Sequence, residues 1–157
     1  MTAAAAQVIA AAVAAGSRIA AAESLTAGMV AAELGSVAGA SAVLQGGVVA
    51  YQNSVKAAVL SVDRNLLAEA GSVDARVAEE MAAGVRALLG ADIGVSTTGA
   101  AGPEPHDGKP VGTVFIGISG PSGTRSREYL FAGDRSSIRS QACSAALEQL
   151  AQELGAA

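Results

Sequence analysis

The chain has 157 residues, 51% of them hydrophobic and 15% charged, with 38 alanines, two tyrosines, two phenylalanines and no tryptophan. That length fits one domain, able to bury about two-thirds of its unfolded surface, and the apolar share excludes a disordered chain. The formal net charge of −4 excludes the broad basic surface of a nucleic-acid binder, although a small anionic ligand needs only a few local donors.

The first predicted element is a helix from Thr2 to Ala15, closed by Gly16 at its C-terminal cap. Val8, Ile9, Ala12 and Val13 recur at helical spacing and no Lys or Arg precedes Arg18, so a domain helix is expected rather than a leader peptide. Arg18–Ala22 reads as a short strand. Glu23-Ser24-Leu25-Thr26 then leads into a helical run through Met29, Val30 and Leu34 that ends near Gly35. Val43–Tyr51 reads as a strand in which Gly46 and Gly47 mark a bulge or a close backbone approach. Asn53 is placed as the N-cap of a short helix bearing Val55, Lys56, Val59 and Leu60, and a second helical piece is expected at Arg64–Ala70.

Asp74 is placed as the cap of the clearest helix, with Val77, Met81, Val85, Leu88 and Leu89 along one face. Ile93–Thr97 reads as a strand and Thr98–Pro110 as a Gly/Pro-rich loop. Val111–Ser119 and Arg125–Phe131 flank the turn signal Gly120-Pro121-Ser122-Gly123. Asp134 is expected to cap a last helix with Ile138, Ala142, Ala146 and Leu150 at four-residue intervals. Strands alternating with helices, plus one hairpin, predict an α/β fold: a three-layer α/β/α sandwich with a mixed sheet, in a single domain.

No apolar run approaches the roughly 20 residues of a membrane span. The single cysteine, Cys143, has no partner for an internal disulfide, which suits a reducing compartment, and a cytoplasmic protein is expected.

Chemistry is expected at three junctions. At Ala22-Glu23-Ser24-Leu25-Thr26-Ala27-Gly28 a hydroxyl stands beside the free N–H groups of a helix start, which can stabilise an oxyanion. The alternative is that Ser24 or Thr26 simply caps the helix. In the second junction, which includes Gly47, Tyr51 and Lys56, an ammonium in the first turn of a helix is opposed by the helix's positive end. Partial burial would make Lys56 a general base near neutral pH; otherwise it is an exposed lysine. Tyr51 could relay a proton or pack against the core. In the third, the glycines of Thr98-Gly99-Ala100-Ala101-Gly102-Pro103 let backbone N–H groups approach a ligand, or form a plain turn. The lone histidine, His106, lies in a loop and reads as solvated, and Cys143 reads as a buried, inert thiol. No metal site and no cofactor are expected.

Taken together, these segments resemble the C-terminal domain of the competence-damage-inducible CinA proteins, a domain also found alone as nicotinamide-nucleotide amidohydrolase. Lys109-Pro110-Val111-Gly112-Thr113, and Gly133-Asp134-Arg135 with Arg139, complete a match running from about Ala5 to Leu150. The resemblance implies hydrolysis of nicotinamide mononucleotide to nicotinic acid mononucleotide and ammonia. Ser24 matches the nucleophile, and Tyr51 and Lys56 match its activating partners. Thr26, Ala27 and Gly28 are the expected oxyanion donors. Gly47 and the Gly99, Ala101 and Gly102 loop are expected at the substrate, with Arg135 or Arg139 at its phosphate. The family usually has glycine where this chain has Ala27 and isoleucine where it has Ala100. Ala27 therefore adds a methyl beside the expected oxyanion hole. The expected ligand is a small-molecule nucleotide substrate and the expected assembly a homo-oligomer. Neither nucleic acid nor membrane is expected as a partner, and no activity of the N-terminal domain of longer CinA proteins is expected.

Overall fold

The computed structural model describes residues 1–156. Five strands form one mixed sheet. In chain order the elements are α1 (Ala3–Ala15), β1 (Ile19–Glu23), α2 (Met29–Gly35), β2 (Leu44–Val49), α3 (Asn53–Leu60), α4 (Arg64–Ala70), α5 (Ala75–Leu88), β3 (Ile93–Gly99), β4 (Thr113–Gly120), β5 (Gly123–Leu130) and α6 (Arg135–Glu153), with a short 3-10 turn at Ala40–Ala42. The sheet order is β2-β1-β3-β4-β5. β1 runs parallel to β2 and β3, while β4 and β5 are antiparallel additions.

The three layers follow from the alternation of side chains along β1, which is buried on both faces. Ile19 and Ala21 join the core formed with α1, α2 and α6, while Ala20 and Ala22 join the core formed with α3, α4 and α5. Small residues bring the layers close. Gly94 and Gly117 lie directly under α5, where a Cβ on either would collide with a main-chain carbonyl of that helix. Asp74 caps α5 through Arg76 N–H, and Asp134 caps α6 through Ser137 N–H. Ile138, Ala142, Ala146 and Leu150 are all buried, as their spacing requires. No helix among the described residues is long and apolar enough to cross a membrane.

The boundaries differ from the expected ones in informative places. α2 begins at Met29, and residues 24–28 form a turn instead of its first coil. The expected bulge in β2 is present: Ile19 pairs with Leu44 but Ala20 with Gly46, leaving Gln45 as the extra residue. β2 ends at Val49, before the expected Tyr51. The N-cap of α3 is Gln52, without a side-chain bond, and Asn53 is the first helical residue. β3 runs on through Thr98 and Gly99, so the loop occupies residues 100–112.

Candidate active site

Ser24 leaves the end of β1 at the middle of the sheet. Its N–H donates to the Thr97 carbonyl at 3.0 Å and toward Thr97 Oγ1 at 3.3 Å, which fixes the turn to the neighbouring strand. Beneath it lies a buried polar network. Thr26 Oγ1 donates to Glu23 Oε1 at 2.6 Å and contacts Thr97 Oγ1 at 2.8 Å. Glu23, 1% exposed, also accepts from the N–H groups of Val30 at 2.8 Å and Ala31 at 3.0 Å. A carboxylate at a helix N-terminus is favoured by the partial positive charge there, and its three hydrogen bonds offset the cost of burial. Glu23 is therefore the cap of α2. The capping alternative for Ser24 and Thr26 gives way to this arrangement, which leaves the Ser24 hydroxyl unspent.

Lys56 is not an exposed lysine. It is 1% exposed, and its Nζ donates to Ser24 Oγ at 3.0 Å and to the Tyr51 carbonyl at 2.9 Å. Burial pushes its pKa down from 10.5 to about 8, with the Asp107 carboxylate pulling in the opposite direction. Tyr51 is half-exposed and packs on neither core. Its main-chain carbonyl holds Lys56, while its phenol accepts from Arg135 Nη2 at 2.8 Å.

Ser24 opens into a cavity of about 410 Å³, lined by residues from the Ser24 turn, the start of α3, the α4–α5 connection, the 99–107 segment and Arg135. Of the residues singled out from sequence, Ser24, Tyr51, Gly99, Ala101, Gly102 and Arg135 stand on its wall, and Lys56 lies directly behind Ser24. Thr26, Ala27, Gly28, Gly47 and Arg139 do not line it. Each has another task. The Ala27 N–H donates to the Ser24 carbonyl at 3.1 Å, so it is not a free oxyanion donor. Ala27 and Gly28 have φ of 48° and 101°, the left-handed region that favours glycine, so a glycine would sit at position 27 with less strain. The Ala27 methyl does not reach the cavity. Gly47 makes room for α2, since a Cβ there would stand 3.0 Å from the Ala31 methyl. Arg139 props the Ser24 turn from behind, its Nε donating to the Leu25 carbonyl at 2.8 Å.

Leu25, Ala101 and Gly102 line the cavity, and their N–H groups make no hydrogen bond among the described residues; of the three, sequence reasoning named Ala101 and Gly102 and missed Leu25. Glu23 and Thr97 were legible only as neighbours of a hydroxyl and as strand residues. On the facing wall His106, as expected, is solvated, with its side chain 58% exposed, but its Nε2 lies 3.2 Å from Asp107 Oδ2. Asp107 Oδ2 in turn accepts from the Ser72 N–H at 2.9 Å and the Ser72 hydroxyl at 3.1 Å. No spacing rule connects Ser72 with a residue 35 positions later.

Fold and site together define an α/β domain with a serine–lysine pair at the mouth of a polar cavity. The profile of the CinA C-terminal domain matches residues 1–154. The chain belongs to the CinA C-terminal domain family. Among solved structures, competence damage-inducible protein A from Klebsiella pneumoniae shares 37% identity and a TM-score of 0.93, the match covering 97% of this chain and 95% of that one. A competence/damage inducible protein from Agrobacterium tumefaciens shares 33% identity and a TM-score of 0.91, over 97% and 93% of the two chains. A CinA-like protein of Frankia casuarinae is 53% identical over 74 residues, which span 47% of this chain but only 17% of that protein. A CinA-like protein of Acaryochloris marina is 49% identical over 83 residues, 51% of this chain and 20% of that protein. The matched segments thus span a fifth or less of these longer relatives.

Proposed function

We propose that this chain hydrolyses the carboxamide of nicotinamide mononucleotide, giving nicotinic acid mononucleotide and ammonia. The observation that carries the reading is the 3.0 Å contact between Lys56 Nζ and Ser24 Oγ, with the amine buried and its pKa lowered to about 8. A lysine in that condition is a general base near neutral pH, and a serine is nucleophilic only when such a base takes its proton.

In the proposed sequence neutral Lys56 removes the Ser24 proton as Oγ attacks the carboxamide carbon. The developing oxyanion is met by the unbonded N–H groups of the wall; Leu25, next after the nucleophile, takes the place expected of residues 26–28. Collapse breaks the C–N bond as the Lys56 ammonium gives its proton to the amide nitrogen, which departs as ammonia. Water then attacks the acyl ester with Lys56 again as base. The carboxylate product leaves and the serine is restored. Tyr51 serves through its carbonyl, which aims the amine, and through its phenol, which holds Arg135. The Arg135 guanidinium at the cavity edge receives the phosphate. Arg139, engaged behind the turn, is not assigned to it.

Incubating purified protein with nicotinamide mononucleotide, while following ammonia and nicotinic acid mononucleotide, tests the reading. Turnover that falls by about a thousandfold or more in Ser24→Ala, at unchanged melting temperature, supports it. Nucleotide binding without ammonia release would leave a binding module of the same fold. Free nicotinamide, which lacks the ribose phosphate, is expected to be a poor substrate.

A further inference from the structure

We propose that Asp107 makes the cavity selective for a ligand whose ring beside the amide is positively charged, so that an oxidised pyridine nucleotide is taken in preference to its reduced, uncharged form and to the carboxylate product. The inference rests on the reading of the site given above and names what that site discriminates.

The charged groups around the cavity are Glu104, Asp107 and Arg135 on its wall, with Lys56 behind Ser24 and His106 beside Asp107. Of these, Asp107 is held in place. Its Oδ2 takes both donors of Ser72, and the Ser72 carbonyl is itself fixed by Thr98 Oγ1 at 2.6 Å. The chain leaves room for it: a Cβ on Gly71 would stand 2.5 Å from the Asp107 carboxyl carbon.

Two opposite charges on the wall, Asp107 and Arg135, make no ion pair with each other. Asp107 lines the same cavity as Ser24, and the two are tied to neighbouring residues of β3: the Ser24 N–H donates to the Thr97 carbonyl, and Thr98 Oγ1 donates to the carbonyl of the Ser72 that holds Asp107. Arg135 is bonded only to neutral oxygens, the Gly102 carbonyl at 2.7 Å and the Tyr51 phenol at 2.8 Å. It makes no ion pair among the described residues. Once Lys56 is neutral, as its role as base requires, the cavity wall presents the fixed Asp107 carboxylate and the Arg135 guanidinium as separate, opposite charges. A pyridinium joined through ribose to a phosphate carries the complementary pair. Reduction of the ring removes the cation, and deamidation adds an anion next to Asp107, which favours release of the product.

The test is titration calorimetry in the Ser24→Ala protein, which binds without turnover, with and without Asp107→Asn, at a pH above 8, with nicotinamide mononucleotide, its dihydro form and nicotinic acid mononucleotide. With Asp107 intact the protein is expected to bind the oxidised amide about fivefold tighter than the dihydro form, and the product more weakly than the oxidised amide. With Asp107→Asn, whose amide oxygen still accepts from Ser72, these ratios are expected to fall toward one, and in the enzyme with Ser24 restored KM changes more than kcat. Equal affinities of the Ser24→Ala protein for the oxidised and reduced nucleotides would overturn the proposal. So would a preference that survives in an Asp107→Asn protein of normal melting temperature. Charge-selective binding without ammonia release sinks the hydrolase reading alone. Ammonia release from both redox forms at equal kcat/KM sinks the selectivity alone.

Discussion

Glu23, Thr26 and Thr97 form a buried hydrogen-bonded network beneath Ser24, whereas the facing segment, residues 100–112, carries Glu104, His106 and Asp107 in exposed positions. On the first wall Glu23, Thr26 and Thr97 are spent on one another, and the Ser24 hydroxyl is bonded only to the Lys56 amine. On the second, side chains reach into open space and one of them, Asp107, is tied to the interior through Ser72. The difference teaches a division of labour. Bond chemistry needs atoms held within a fraction of an ångström, which burial and closed networks supply. Ligand selection needs charge at a distance, which a half-exposed carboxylate supplies without rigid packing.

The sharpest way to break this division is Lys56→Met, which keeps the buried stem and removes the amine. Turnover is expected to fall by roughly 10²- to 10⁴-fold with the fold retained, measured as ammonia release beside circular dichroism. Residual activity near wild type would show that the first wall does not hold the chemistry. Next in size is Glu23→Gln. An amide in place of the carboxylate turns one acceptor into a donor facing the N–H groups of α2, and stability is expected to drop by about 2–3 kcal/mol. For a chain of this length that is a fall in melting temperature of roughly 5–10 °C. An unshifted melting curve would mean that the network beneath Ser24 is not what holds the turn.

A smaller effect joins the two walls. In the proposed mechanism the working form of Lys56 is the neutral amine, so kcat/KM is expected to rise with pH and level off above about 8. Asp107 stabilises the ammonium, and Asp107→Asn therefore lowers the pKa further and moves the rising limb to lower pH. A limb that stays put, or moves upward, would separate Asp107 electrically from the base. The smallest expected effect is a gain. Ala27→Gly relieves the left-handed strain at φ 48° and is expected to stabilise by about 0.5–1 kcal/mol with kcat unchanged, since the methyl does not face the cavity. A large change in kcat would put that methyl back at the reacting atoms.

The fold was legible because its signals are local. Asp74 and Asp134 cap the helices expected of them, Pro121 and Ser122 turn the hairpin, and the four-residue spacing in α6 points inward. The serine–lysine pair was legible only through the resemblance, because Ser24 and Lys56 meet across 32 residues and neither segment alone separates a base from a surface lysine. What sequence reasoning misplaced has a common cause. Oxyanion donors were assigned to residues 26–28 on the premise that α2 begins at the serine. The helix instead starts at Met29, and Glu23 caps it from within the strand. In this chain Arg139 supports the Ser24 turn and Gly47 lets α2 pack closely. Asp107 escaped notice because its meaning depends on Ser72, and that neighbourhood exists only after folding.

Tyr51 is gripped at both ends: its carbonyl by the Lys56 amine, its phenol by the Arg135 guanidinium. One residue thus bridges the buried amine and the surface guanidinium, and Tyr51→Phe, which removes the phenolic oxygen alone, frees the guanidinium while leaving the amine's carbonyl anchor intact.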